Sequence, residues 1–266
     1  MKLPLLAPRL TFCVAALALA MAGCGSTAIS DKDSPEKLYA DARDEMASGS
    51  YDKAIKLLER VEGRAAGTLL AQQAQLDQAY AQWRSGERAT ALATLDRFIK
   101  VHPSSPALDY AMYLKGIVNF NDNLGILSSI SRQDISERDQ QASRDAYQAF
   151  KQLVDQFPDS KYSADARVRM DYIGNALAQY ELHVARYYYR RGAFLAAANR
   201  AQHTLRDYQQ TPSVEEALYI LAQSYDKLGL NDLRDDADRV LKANYPDSSF
   251  LRDGMRKPDN PWWKFW

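Results

Sequence analysis

Apolar side chains recur three and four residues apart from residue 35 to about residue 250, with few runs of β-branched residues between them. This spacing places the apolar side chains on one side of an α-helix. The pattern begins at Ser34 and Pro35, a capping residue followed by a proline that suits the first helical turn. The sequence therefore predicts an all-α body that begins near residue 35.

The helical pattern is repeated along the chain. Gly49 and Ala54 are followed 37 residues later by Gly86 and Ala91. A glycine in the turn of a helix pair and an alanine where the second helix crosses the first are typical of tetratricopeptide repeats. The pattern predicts a superhelical array of about five tetratricopeptide-like helix-turn-helix repeats, with an alanine-rich helical bundle as the alternative. The five crossing positions are Ala54, Ala91, Ala146, Ala197 and Arg234.

Two of the steps between these positions are long, since the steps are 37, 55, 51 and 37 residues. The 55-residue step contains residues 121–138, where Asn, Gly and Ser interrupt the helical pattern and predict an inserted loop. The 51-residue step matches one unbroken pattern from about Ala164 to Arg191, which predicts a long first helix. We expect repeats 1–3 in residues 35–160, repeats 4–5 in residues 161–250 and an aromatic tail in residues 251–266.

Short polar motifs mark the predicted helix boundaries. Proline followed within two residues by Ser or Asp ends one helix and caps the next. Ser213 with Glu216 has the spacing of a capping box at the start of a further helix. The proline motifs are PSS at residues 103–105, PDS at residues 158–160 and PDS at residues 246–248.

The N-terminal residues 1–23 predict a lipoprotein signal peptide. The basic residues Lys2 and Arg9 precede an apolar run, and small residues lie directly before Cys24. Cleavage there would leave Cys24 as a lipidated first residue on a small, polar tether of residues 24–34. The alternative is an incidental cysteine after a signal peptide that is cleaved elsewhere, for example after Ala20. Gly25 instead of Asp after the cysteine resembles the lipoprotein pattern for sorting to the outer membrane.

Charge and motifs narrow the function classes. The chain has 34 Lys and Arg against 34 Asp and Glu, which argues against a nucleic-acid partner. Both cysteines lie within the first 24 residues and there are three histidines, so we expect no metal site. The usual nucleotide, zinc-protease and nucleophile-elbow motifs are absent, and we expect a non-enzymatic protein without a cofactor. A hydrolase built on His183 and His203 is the contrasting hypothesis.

Three candidate binding surfaces follow from the helical pattern. The third helix has a polar face away from its expected core residues, formed by Gln73, Asp77 and Arg84. This face is either a peptide-binding groove or plain solvated surface. Three consecutive tyrosines end the long helix, beside Arg190, Arg191 and Arg200, as either a contact patch for acidic groups or aromatic packing at a turn. The tail carries an aromatic cluster that would contact a membrane surface, bind a partner or pack on the last repeat. This cluster contains Trp262, Trp263 and Trp266.

Three stretches of the chain resemble the BamD family of outer-membrane β-barrel assembly lipoproteins. They are LDRFIKVHPSSPALDYAMYLKG at residues 95–116, SRQDISERDQQASRDAYQAFKQLVDQFPDSKYSADA at residues 131–166, and YYYRRGAFLAAANR at residues 187–200. The resemblance extends over nearly all of the chain after Cys24. It implies a lipid-anchored, non-enzymatic subunit of the complex that folds and inserts outer-membrane barrels.

The resemblance also implies a division of labour between the repeats. The N-terminal repeats would bind unfolded outer-membrane proteins, through their C-terminal targeting segments. The C-terminal repeats would dock the periplasmic domains of the central barrel subunit, with other assembly lipoproteins nearby. The family's partner-contacting Asn-Arg pair corresponds to Asn199 and Arg200, and we expect Arg200→Glu to release the partner without changing the melting temperature.

The chain departs from the family in one turn. Between the first two repeats, residues 63–68 read GRAAGT where the family has a turn with proline and aromatic residues. This difference puts the details of substrate capture in question. The competing function is a periplasmic adaptor lipoprotein that holds cell-wall or envelope-maintenance enzymes.

Overall fold

The structure is a computed structural model that describes residues 33–120 and 140–254. The predicted signal peptide, Cys24, the predicted inserted loop and the three tail tryptophans lie outside these residues. The described ranges contain eleven helices and no strand. The helices are α1 Pro35–Ala47, α2 Tyr51–Arg64, α3 Leu69–Arg84, α4 Arg88–Val101, α5 Leu108–Asn119, α6 Gln140–Gln156, α7 Ser163–Arg190, α8 Phe194–Asp207, α9 Ser213–Leu228, α10 Asn231–Asn244 and α11 Ser249–Asp253.

The first ten helices form five consecutive pairs, as the repeat pattern predicts. Each helix packs against the next one along the chain, and α7 also contacts α9. The alanines at the predicted crossing positions of the first four pairs are fully buried. Arg234 holds the equivalent position in α10, where it is half-buried and pairs with Asp226. The predicted all-α repeat array is therefore confirmed.

The turns within the pairs explain the repeated glycines. Gly49, Gly86, Gly192 and Gly229 all have φ between +71° and +93°. This left-handed conformation is strained for residues with a Cβ atom and is readily adopted by glycine. The equivalent turn of the third repeat falls in residues 121–139, beyond the described part of the chain.

The helix boundaries agree with some of the predicted signals: Ser248 caps α11, but α5 and α7 begin without a side-chain cap after their proline motifs. The Ser34 side chain accepts a hydrogen bond from the Lys37 backbone N–H at the start of α1, and α7 is a single helix of 28 residues. The predicted capping box at Ser213 is wrong, because α9 has no side-chain cap. Glu216 instead pairs with Arg186 of α7, with 2.7 Å between Nη2 and Oε2.

The hydrophobic core is a chain of four clusters, each formed by three or four consecutive helices. The clusters lie within α1–α3, α3–α5, α5–α7 and α7–α10. Their largest fully buried side chains include Leu58, Phe98, Phe150 and Ile220. Since α3, α5 and α7 contribute to two clusters each, no repeat buries its apolar face alone.

The contact between α5 and α6 depends on a glycine. A Cβ atom on Gly116 would lie 2.4 Å from Cε1 of Phe150, a fully buried ring. We predict that Gly116→Ala lowers the free energy of unfolding by about 1 to 3 kcal/mol, because the ring has no room to move. Urea denaturation of the purified protein measures this difference.

Gly174 in α7 provides the matched control. A Cβ atom at this position meets no atom within 4 Å. Because alanine favours helix by about 1 kcal/mol over glycine, Gly174→Ala should leave stability unchanged or raise it. Equal stability losses in the two variants would contradict the close-contact explanation.

Candidate functional site

An aromatic cavity lies where the first helices of repeats 2, 3 and 4 come together. Its volume is about 650 Å³. Its walls, here named the aromatic cleft, include Tyr80 and Trp83 of α3, Tyr110, Tyr113 and Phe120 at α5, and Arg169 of α7. A cavity with mainly apolar walls and a few polar groups is the usual form of a binding site.

Polar contacts hold the far wall of the cleft in place. Tyr113 donates from its hydroxyl to Oδ2 of Asp165 at 2.7 Å, and Nε of Arg169 donates to the same oxygen at 2.6 Å. The Tyr113 ring stacks on Tyr162 with centroids 4.9 Å apart. The guanidinium of Arg169 lies 5.3 Å from the centroid of Phe120. The cation and the aromatic walls are therefore fixed relative to each other.

The titration of the cleft residues reflects this burial. Burial raises the pKa of Tyr110 to about 12, with a further contribution from the charge of Asp77. Burial acts to raise the pKa of Asp165, but the hydrogen bonds from Arg169 and Tyr113 outweigh it and lower that pKa. At neutral pH the cleft thus presents neutral tyrosines beside a paired cation.

The three predicted groove residues have different environments in the structure. Asp77 is 8% exposed and accepts hydrogen bonds from the Tyr39 hydroxyl at 2.6 Å and from Nε2 of Gln73 at 3.1 Å. Asp77 therefore ties α1 to α3, and Gln73 stays exposed beside it. Arg84 is also exposed and donates to the Tyr80 hydroxyl at 2.7 Å, at the edge of the cleft. Their contact with a peptide stays a prediction.

The helix periodicity did not identify most of the cleft. Tyr110, Tyr113, Phe120 and Arg169 come from α5 and α7, which lie in different repeats. Tyr110 and Tyr113 are three residues apart in α5, as Tyr80 and Trp83 are in α3, and this spacing is a local signal that two aromatic rings share a face.

At the end of α7 the three tyrosines point in different directions. Tyr188 and Tyr189 pack against the last core cluster, whereas Tyr187 is 48% exposed. The guanidinium of Arg191 lies 5.4 Å from the Tyr187 ring centroid. Arg190 and Asn199 are exposed nearby in sequence. The polar and aromatic residues at the end of α7 and in the first half of α8 are here named the C-terminal patch: Tyr187, Arg190, Arg191, Asn199 and Arg200.

Arg200 differs from the other arginines of the C-terminal patch. Its Nη1 donates to Oε2 of Glu181 at 3.0 Å, and the Glu181 side chain is 3% exposed. This hydrogen bond raises the pKa of Arg200. His203 lies between Glu181 and Asp207, with Nε2 3.0 Å from Oδ2 of Asp207, while His183 is exposed on α7. The structure thus gives Arg200 an internal partner that the sequence did not reveal.

Other candidate chemistry finds no support in the described residues. Within residues 33–120 and 140–254, no three His, Cys, Asp or Glu side chains are grouped so that they could hold a metal ion. In the same ranges no helix has the length and apolarity needed to cross a membrane.

Comparison with known proteins gives one family. Residues 31–241 match the YfiO family, described as "Outer membrane lipoprotein". The chain is 48% identical over 257 residues to "Outer membrane protein assembly factor BamD" of Neisseria meningitidis serogroup B, covering 94% of this chain and 96% of that protein. It is 46% identical over the same coverage to the protein of this name in Neisseria gonorrhoeae. For Xylella fastidiosa strain Temecula1 the identity is 36%, covering 85% and 77% of the two chains.

Two solved structures are also similar. The crystal structure of MamA protein matches with a TM-score of 0.34 and 13% identity, covering 84% of this chain and 97% of that one. TPR-like repeats from Podosopora anserina match with a TM-score of 0.35 and 15% identity, covering 81% and 100%.

The internal partner of Arg200 changes the expectation for Arg200→Glu. The substitution places a second carboxylate beside buried Glu181 and removes the cation that compensates it. We predict a loss of about 3 kcal/mol in the free energy of unfolding, so the melting temperature falls instead of staying constant. Thermal unfolding followed by circular dichroism measures the change.

Arg190→Glu is the control for this measurement. Arg190 is exposed on the same patch, and no described residue pairs with it. Its replacement should change stability by no more than about 0.5 kcal/mol. Equal melting temperatures for Arg200→Glu and the unchanged protein would mean that Glu181 does not need the cation.

Proposed function

The chain belongs to the YfiO family of outer membrane lipoproteins, and on this premise we propose how its two surfaces serve assembly. Its curated relatives are outer membrane protein assembly factors, which are non-enzymatic, and the chain is associated with the outer membrane as they are. We propose that the aromatic cleft binds unfolded outer-membrane proteins. We further propose that the C-terminal patch docks the periplasmic domains of the central barrel subunit.

The aromatic cleft is the observation that carries the first part of this proposal. A strand of an outer-membrane barrel alternates apolar and polar residues and has aromatic residues near its ends. Before insertion, such a strand exposes apolar side chains to water, and binding to an apolar surface would bury them transiently. Tyr80 of α3 and Tyr110 and Phe120 of α5 offer apolar surface from two helices, so an extended segment can place successive side chains along them.

The C-terminal patch supports the second part. Arg191 lies against the exposed Tyr187 ring, and Arg190 and Arg200 add two further cations close by in sequence. Arginine and tyrosine are enriched at the energetic centres of protein interfaces. An acidic surface on a periplasmic domain would complement these charges, and further assembly lipoproteins would bind nearby.

The anchor completes the proposal. Lipidation of Cys24 would hold the repeats on the periplasmic side of the outer membrane, close to both proposed partners. The tail with Trp262, Trp263 and Trp266 is proposed as a second contact with the membrane surface or with a partner. Palmitate release from the purified lipoprotein by mild base would report the lipid on Cys24.

Substitution in the cleft should weaken substrate binding. Phe120 is half-buried at the end of α5 and packs at the edge of the third core cluster, so Phe120→Ala removes aromatic surface from the cleft and leaves the fully buried core side chains in place. We predict about tenfold weaker binding of a fluorescent peptide with the sequence of the last strand of an outer-membrane barrel protein. Fluorescence anisotropy gives the dissociation constants.

Val101→Ala is the matched control for the peptide experiment. Val101 is exposed at the end of α4, away from the residues that line the cleft. This variant should bind the peptide as the unchanged protein does. If Phe120→Ala also binds with unchanged affinity, the peptide does not use the cleft.

The docking proposal predicts the composition of a complex. A tagged chain extracted from outer membranes in mild detergent should recover one dominant barrel protein with periplasmic domains, identified by mass spectrometry. Arg200→Gln should reduce that recovery several-fold, because it removes a cation from the patch. Arg239→Gln on α10, which removes an exposed cation paired with Asp236, is the control. Recovery of cell-wall enzymes without a barrel protein would contradict the assembly proposal and favour the adaptor function.

A further inference from the structure

A buried carboxylate, Glu181, contacts one arginine of the C-terminal patch. Glu181 lies in the last third of α7, its side chain is 3% exposed, and it faces α8. Two α8 side chains approach it. Nη1 of Arg200 is 3.0 Å from Oε2, and Nδ1 of His203 is 3.7 Å from Oε1. A buried carboxylate is strongly unfavourable without such partners, so the environment of Glu181 constrains where Arg200 can be.

Arg200 connects this buried group to the surface. Its side chain is 42% exposed although Nη1 is held by Glu181. Among the described residues, nothing hydrogen-bonds to its Nε or Nη2. A guanidinium has five N–H donors in a rigid plane, so one nitrogen can be anchored while others bind a second carboxylate. Arg200 is therefore an arginine at the surface whose orientation is set from the interior.

The other arginines of the patch lack this support. Arg190 is exposed without a described partner, and Arg191 contacts the equally exposed Tyr187 ring. Free arginine side chains lose rotational freedom when a partner immobilises them, which weakens binding. An arginine that is already ordered avoids most of this loss.

We propose that Glu181 is the positioning residue of the docking surface. It holds the Arg200 guanidinium so that a carboxylate of the partner meets an ordered cation, with Glu181 on one edge of the guanidinium and the partner on another. This inference rests on the proposed docking role of the C-terminal patch. It assigns a binding role to a side chain that the partner never touches.

Four single variants and one double variant test this role in binding to the purified periplasmic domains of the central barrel subunit from the same organism. Glu181→Gln keeps the size of the side chain but removes its charge, and we expect about tenfold weaker binding. Asp207→Asn is the matched control, since Asp207 pairs with His203 and Arg206 and not with Arg200. Its binding should change less than about twofold. Biolayer interferometry gives the affinities, and circular dichroism checks folding.

The double variant separates positioning from general stability. If Glu181 acts through Arg200, Glu181→Gln has no further effect on binding once Arg200→Gln is present. If it acts by loosening the repeat, its effect stays the same in both backgrounds, and the positioning role is overturned.

If Glu181→Gln unfolds the protein, Arg200→Lys still tests the positioning role. A lysine preserves a cation for Glu181 but offers one compact ammonium instead of a planar fork. We expect its folding to be retained and its partner binding to fall as far as that of Arg200→Gln. Unchanged partner binding by Arg200→Lys would overturn the ordered-fork explanation.

The outcomes distinguish this inference from the proposed function. If the unchanged protein does not bind the periplasmic domains, or Arg200→Gln binds them equally well, the docking role of Arg200 fails and the positioning role with it. If Arg200→Gln weakens binding but folded Glu181→Gln does not, the docking role stands and the positioning role alone is overturned.

Discussion

The close approach of the two helices in each repeat is the constraint on which the rest of the structure depends. Ala54, Ala91, Ala146 and Ala197 are fully buried at the crossings, where a longer side chain would push the helices apart. Gly116 serves the same purpose in the third repeat, where the Phe150 ring occupies the space of a Cβ atom. The last repeat has Arg234 at the crossing, and its second helix buries only Ala237 and Leu241. The last described pair therefore packs with an arginine at the crossing position and with two buried side chains on its second helix.

Side-chain hydrogen bonds join the first helices of successive repeats. Tyr39 bonds to Asp77 between α1 and α3, Tyr113 to Asp165 between α5 and α7, and Arg186 to Glu216 between α7 and α9. Each bond pairs one long side chain with a carboxylate across neighbouring repeats. Hydrogen bonds to charged groups are the stronger ones, so the Tyr113 bond holds α5 against α7 within the aromatic cleft. The other two bonds hold α1 and α9 against the outer helices of the cleft, α3 and α7.

Local sequence signals predicted the helices but not their cross-repeat partners. The turn glycines, the buried alanines and the long α7 follow from spacing within about 40 residues. Asp77 was read as part of an open face because its partner Tyr39 is 38 residues away and periodicity carries no information about it. Glu216 was read as a capping residue, yet Arg186, 30 residues earlier, offers it a stronger contact. The cleft was missed for the same reason, since its walls meet only when the repeats stack.

The 28-residue α7 connects the two proposed sites directly. At 1.5 Å per residue it is a rod about 42 Å long. Arg169 of the cleft lies in its second turn, and Glu181 and Tyr187 lie toward its far end. An intact helix resists bending far more than a loop does, so a small tilt at one end becomes a displacement at the other. Bound substrate and docked partner would therefore both act on α7. A movement of this helix at one site would displace the side chains that it carries at the other site.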